Sequence, residues 1–232
     1  MAEGDQRAAD PPGGSPSSHA AADPTRALFI AFEGGEGCGK STQATLLATW
    51  LRRGHHPVVL TREPGGTPAA EAIRAVVLSS DHDELDGRVE ALLFAAARGD
   101  HVHRVIRPAL ARGDSVITDR FTDSSIAYQG YARGLDREYV AGLSAWVTGG
   151  LRPDLTVVMD LDPVISHQRL GDKDRMESES IEFHQAVRAG FLDLAAQDPS
   201  AYFVVDAAQP VDWIAAAIRD RVELLLVQEG VA

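Results

Sequence analysis

Gly34-Gly-Glu-Gly-Cys-Gly39-Lys40-Ser41 fits the spacing G-x4-G-K-[ST]. Glycines spaced this way let successive backbone N–H groups turn inward around an anion, with no side chains in the way. A helix starting near Lys40 would aim the positive end of its dipole at the same anion. Lys40 would then reach the β- and γ-phosphates of a nucleoside triphosphate, and the Ser41 hydroxyl would ligate Mg2+. Gly34, Gly35, Glu36, Gly37, Cys38, Gly39, Lys40, Ser41 and Thr42 are therefore the candidate ATP site. Cys38 within it reads as a small residue that fits, in preference to a redox sensor.

A second set of residues suggests an acceptor. Asp119-Arg120 follows the apolar run Ser115-Val-Ile-Thr118, so both side chains emerge where ligands of open parallel sheets bind. Arg120 could hold a phosphate by a bidentate contact. Phe94 and Arg98 are four residues apart, hence neighbours on one helical face. An aromatic plane beside a guanidinium can stack on a pyrimidine and donate to its carbonyl O4, where cytosine instead presents an amine. Such a pair discriminates by about 1–3 kcal/mol. Taken alone, Phe94 reads sooner as a core residue and Arg98 as a snorkelling one. Arg74 reads as a second phosphate clamp or as a solvated charge.

These groups need a scaffold. Short apolar runs at Ala27–Phe32, Pro57–Leu60, Ser115–Thr118, Leu155–Met159 and Tyr202–Val205 suit buried parallel strands. Between them, helical spacing runs over Thr42–Arg53, Val89–Arg112, Arg137–Val147, Ile181–Ala196 and Val211–Val227. Alternating strands and helices predict an α/β three-layer sandwich of the P-loop NTPase type, a five-stranded parallel sheet with helices on both faces. One domain over 27–232 is expected. Residues 1–26 are rich in Ala, Pro, Gly, Ser and Asp and read as a disordered tail.

Bulk properties narrow the function. Of 232 residues, 34 are acidic and 22 basic, a net charge of −12 that argues against a nucleic-acid partner. No apolar run approaches the roughly 20 residues of a membrane helix. The single cysteine, with no signal-peptide pattern, suits a reducing cytoplasm.

Four further segments carry a family resemblance. They are Thr61-Arg-Glu-Pro-Gly-Gly-Thr67 with Arg74, Phe94-Ala-Ala-Ala-Arg98, Ile117-Thr-Asp-Arg-Phe-Thr-Asp-Ser-Ser-Ile-Ala-Tyr-Gln-Gly130, and Asp174-Arg-Met-Glu177. Together they make the chain similar to the thymidylate kinase family over nearly all of Leu28 to Val222, and the third segment is the specific one. The resemblance implies transfer of the ATP γ-phosphoryl group to dTMP. It also implies a dTMP site of Glu36, Glu63, Pro64, Arg74, Phe94, Arg98, Arg120, Ser125 and Tyr128. In it, Arg98 meets thymine O4, Ser125 the N3 edge and Tyr128 the sugar's 2′ carbon. Glu36 lies near the sugar 3′-hydroxyl and the metal, and Glu33 is structural. A cis Glu63–Pro64 bond belongs to the same pattern.

No loop residue from Gly35 to Cys38 is basic, and family members of that bacterial type carry basic residues in a lid, here about 168–178. Lys40, Arg120, Arg169, Arg175 and Glu36 are the candidate catalytic groups; Lys173 is read as a solvated charge. The helix predicted over Val89–Arg112 shows Val89, Leu92, Leu93, Ala96 and Val102, surplus apolar surface that with the resemblance suggests a homodimer. Two rivals stay open: another P-loop deoxynucleoside or nucleotide kinase, and a P-loop module that binds nucleotide without turnover. A GTPase would need an N/T-K-x-D string, and Gly171-Asp-Lys-Asp174 lacks its first residue.

Overall fold

The computed structural model describes Met1 and residues 27–82, 84–169, 171 and 174–227. The expected tail and Lys173 lie outside the described residues. Five strands form one parallel sheet: β1 (Phe29–Glu33), β2 (Val58–Arg62), β3 (Ser115–Asp119), β4 (Leu155–Asp160) and β5 (Tyr202–Asp206). Their order is β2-β3-β1-β4-β5, so β1 is central, with Phe29 opposite Val116 and Ile30 opposite Leu155. Each strand lies within two residues of its sequence-based bounds.

Alternation along β1 explains the layers. Leu28, Ile30 and Phe32 face α1 (Lys40–Arg53) and α9 (Val211–Val227), whose Leu47, Leu51, Ile214 and Ile218 complete that core. Phe29 and Ala31 face the other way, onto Val102, Ile106, Ala109 and Phe121. A third cluster joins Val158 of the sheet to Tyr128, Val187 and Phe191. β1 is buried on both faces, which is why it reads as a continuous apolar run.

The expected helix over Val89–Arg112 is three consecutive pieces: α3 (Gly87–His101), a π-helical stretch (Val102–Ile106) and α4 (Arg107–Ala111). Val102 corrects one expectation, because it is 2% exposed and packs on the sheet, unavailable to a partner. α6 (Arg137–Thr148) and α8 (Ile181–Gln197) stand where expected. Besides a single turn at Ser80–His82, three helical segments lie between the helical runs given from sequence. They are α2 (Pro68–Val77), α5 (Thr122–Ser125) running into a π-helical Ile126–Ala132, and α7 (Pro163–His167). α2 starts on Thr67, whose hydroxyl accepts from the Ala70 N–H, with Pro68 at the first helical position.

Candidate active site

The strand ends place the chemistry along one edge of the sheet. After β1, Gly34 adopts φ 137, and a Cβ there would stand 2.6 Å from the Met159 carbonyl oxygen. Only glycine lets the chain leave β1 so close to β4. Gly39, at φ 92, then caps α1. Lys40 Nζ donates to the carbonyls of Gly34 (3.2 Å) and Gly35 (2.6 Å), so its ammonium lies folded over the loop. Cys38 is 2% exposed and its thiol donates to the Gly35 carbonyl, which fits a space-filling role.

A cleft of about 430 Å3 opens beside this loop. Glu36, Gly37, Gly39, Lys40, Ser41 and Thr42 line its donor side, while Gly34, Gly35 and Cys38 lie behind. The acceptor side brings in Glu63, Pro64 and Arg74, then Phe94 and Arg98, then Arg120, Ser125 and Tyr128. Residues from the donor loop, α1, the turn after β2, α2, α3, the turn after β3, α5 and the π-helical stretch thus converge on one cleft.

Arg98 is held from three directions. Nε donates to Glu63 Oε2 at 2.7 Å, Nη1 to Ser125 Oγ at 2.9 Å and Nη2 to the Phe121 carbonyl at 2.9 Å. Glu63 also accepts from His101 Nδ1 at 2.9 Å, so a fully buried carboxylate serves both side chains. The Glu63–Pro64 bond is cis, as expected, and the Pro64 carbonyl accepts from Arg74 Nη1 at 2.9 Å.

Arg120 sits in the left-handed region, at φ 71. Its N–H donates to the Phe32 carbonyl, and its own carbonyl accepts from the Thr118 hydroxyl. The guanidinium spans the cleft floor, donating to Gly34 O, Ser124 Oγ, Tyr128 Oη and Glu36 Oε1, the last at 2.6 Å. Burial alone would raise the Glu36 carboxyl, but Arg120, Lys40 and the Tyr128 hydroxyl hold it down at about 2. Glu36 is therefore an anion wherever the protein is folded near neutrality.

Arg169 lines the cleft and is exposed at its rim. One placement differs from expectation. Arg175, expected over the γ-phosphate, is instead 5% exposed: Nη2 donates to the buried Glu90 at 2.7 Å and Nε to the Val77 carbonyl at 2.9 Å. Sequence shows the charge of Arg175 but not a partner 85 residues away. In this conformation it anchors the base of the expected lid to α2 and α3. Sequence reasoning also gave Asp119 no role of its own. Its carboxylate accepts from the Ser41 hydroxyl and faces the cleft, and its place at the end of β3 was the available signal.

A glycine-turned loop between a central parallel strand and a helix, facing a second site of clustered arginines, defines a P-loop phosphotransferase. Residues 32–218 match the family model described as thymidylate kinase. The thymidylate kinase of Clavibacter michiganensis is 50% identical over 203 residues, 86% of this chain and 96% of its own length. That of Magnetococcus marinus is 48% identical over 199 residues, 84% of this chain and 95% of its own. A crystal structure of thymidylate kinase from Ehrlichia chaffeensis matches with a TM-score of 0.70 and 35% identity, over 84% of this chain and 98% of that one. The chain belongs to the thymidylate kinase family, the nucleotide kinases that phosphorylate dTMP.

The site makes two predictions. On acidification an unfolded Glu36 carboxyl, near 4.5, takes up a proton before the folded one at about 2. The stabilisation is thus whole above 4.5 and lost as pH falls towards 2. Melting curves should show Glu36→Gln less stable than wild type at pH 7, with the gap narrowing by roughly half or more at pH 3. Removing the guanidinium at Arg175 strips a buried partner from Glu90, a change of about 3–5 kcal/mol where such a pair is broken. Arg175→Ala should lower the melting temperature by several degrees. At a temperature where the variant is folded, kcat should change less than tenfold; a larger loss would return Arg175 to the γ-phosphate.

Proposed function

We propose that the cleft positions ATP and dTMP for direct phosphoryl transfer, with residues 34–42 as the donor site and residues from Glu63 to Tyr128 as the acceptor site. The observation that carries this reading is Arg98, fixed at the cleft wall by Glu63 and Ser125 with Phe94 one helical turn before it. Phe94 offers its ring to thymine, Arg98 donates towards O4, and Ser125 faces the N3 edge. Tyr128 fills the space a ribose 2′-hydroxyl would need. Arg74 and Arg120 hold the acceptor phosphate, and Glu36 lies near the sugar 3′-hydroxyl.

In the reaction, an acceptor phosphate oxygen forms a bond to the γ-phosphorus as the bond to the bridging β–γ oxygen breaks, giving dTDP and ADP. The nucleophile is already an anion, so no general base is called for. Positioning and charge neutralisation do the rest, through Lys40, Arg120 and Arg169. Mg2+ prefers oxygen ligands and keeps substrate phosphates among them. The Ser41 hydroxyl and Asp119 carboxylate, bonded to each other at the cleft, fit that preference. When bound, the ion neutralises charge on the β- and γ-oxygens. Among the described residues no helix is long and apolar enough to cross a membrane; a cytoplasmic enzyme fits the single cysteine.

The same reading includes a homodimer. Val89 and Leu92 on α3 are 46% and 52% exposed, and Tyr139 and Trp146 on α6 are 65% and 79% exposed. The two helices pack against each other, a Cβ on Gly99 falling 3.4 Å from Val147. Exposed apolar side chains on two packed helices suit a two-fold interface. Sedimentation at micromolar concentration should give about twice the 24.8 kDa chain mass; a monomer mass would overturn the dimer.

The acceptor is tested by ADP release with dTMP, dUMP, dCMP, dGMP and thymidine, in wild type and Arg98→Ala. Wild type should favour dTMP, and Arg98→Ala should lose about tenfold or more in kcat/KM for dTMP, with KM for ATP almost unmoved. Unchanged dTMP kinetics in Arg98→Ala would sink the thymine assignment and favour the deoxynucleoside-kinase alternative.

A further inference from the structure

Glu33 is the last residue of β1, immediately before the donor loop, and is 0% exposed. None of the steps above uses it, yet its carboxyl reaches across to the acceptor turn. Oε1 accepts from the N–H of Phe121 at 2.8 Å and of Ser124 at 3.1 Å. Oε2 accepts from Ser124 Oγ at 2.6 Å, and Ser124 Oγ in turn accepts from Arg120 Nη1 at 3.0 Å. Phe121 passes the constraint on through its carbonyl, which accepts from Arg98 Nη2. The neighbouring Ser125 accepts from Arg98 Nη1.

We infer that Glu33 is a positioning residue for the acceptor: its buried carboxyl pins the turn 120–125 to the strand that launches the donor loop. One group thereby sets both the phosphate clamp Arg120 and the Arg98–Ser125 pair at a fixed distance from the donor phosphates. The turn needs such a pin. Arg120 holds a left-handed conformation unusual for a side chain with a Cβ. The helix after it begins with Thr, Asp, Ser and Ser, poor helix formers whose free N–H groups Glu33 satisfies from another element.

The charges around Glu33 are Arg120 and Asp123, and Asp123 is bonded to the Tyr202 hydroxyl at 2.6 Å. Burial and the Asp123 charge push the Glu33 carboxyl up to about 8. Either protonation state leaves Oε1 accepting two N–H groups and Oε2 bonded to Ser124, so glutamine preserves the geometry and alanine removes it. The donor loop has support of its own, from Lys40 folded onto the Gly34 and Gly35 carbonyls and from Gly34 packed against Met159. β1 is held by ladders to β3 and β4 on its two sides.

The inference rests on dTMP as acceptor and is tested on the full chain with Glu33→Ala, Glu33→Gln and Ser124→Ala. Initial rates and melting curves are read with dTMP and ATP varied separately. Glu33→Ala should lose about 100-fold or more in kcat/KM for dTMP, and Glu33→Gln should recover it to within about tenfold of wild type. Ser124→Ala, which removes the hydroxyl bridge between Glu33 Oε2 and Arg120 but leaves the two N–H groups on Oε1, should lose about tenfold, with KM for ATP within about twofold of wild type in every folded variant. Should Glu33→Ala not fold, Ser124→Ala and Glu33→Gln decide. Wild-type dTMP kinetics in Ser124→Ala or in folded Glu33→Ala would overturn the inference. So would a rise in KM for ATP parallel to that for dTMP, which marks general loosening of the sheet. A wild-type enzyme inactive towards dTMP would instead overturn the acceptor assignment itself.

Discussion

Arg120 ties together the two halves of the site through a single guanidinium. It donates to the backbone of the donor loop at Gly34, to Glu36 within that loop, and to Ser124 and Tyr128 on the acceptor side. Burying a cation costs several kcal/mol unless it is paired and hydrogen-bonded, and here it is both. Glu36 supplies the charge, and three neutral acceptors take the other bonds from Nη1 and Nη2. A residue in a sparsely populated backbone region adds about 1–3 kcal/mol of strain, which persists only where surrounding contacts over-determine it. The Phe32 carbonyl, the Thr118 hydroxyl and the pinned turn that follows do so.

The acceptor wall shows the same economy of charge. Glu63 is buried and carries two partners, one on each carboxylate oxygen: Arg98 and His101. His101 also bonds the Thr61 hydroxyl at 2.7 Å, so β2, its following turn and α3 are joined below the cleft floor. Arg98 thus needs little reorganisation to meet a base, which lowers the ordering cost of binding. Its nearest analogue at the lid base is Arg175, satisfied by Glu90 alongside Arg133.

Legibility in the sequence followed locality. All five strands were readable because a strand buried on both faces is an apolar run, whatever lies beside it. The donor loop was readable because its glycines answer a local backbone demand. The segment 122–132 was not read as helical, since Ser, Thr and Gly there have weak propensity and its start is satisfied by Glu33, 88 residues earlier than Phe121. Arg175 and Val102 were misplaced for the same reason. Charge and apolarity are written in the residue, whereas Glu90 and the sheet that receive them are far along the chain. Phe94 and Arg98 were paired by their four-residue spacing, but Ser125 joined them only through the family pattern, because a position 27 residues further on shares no period with α3.

The central place of β1 has a consequence for how the chain is made. Although β1 is the first of the five described strands, its two neighbours begin only at Ser115 and Leu155. At usual elongation rates a ribosome takes on the order of ten seconds to add the residues between β1 and β4. Throughout that interval the nascent chain exposes Phe29-Ile-Ala-Phe32 with at least one edge unpaired, a segment apolar enough to associate with other chains. The donor loop cannot take shape earlier, because Gly34 turns against Met159 of the strand that arrives last beside it. Nucleotide binding is therefore a late event in biogenesis, open to the chain only once four of the five described strands have emerged.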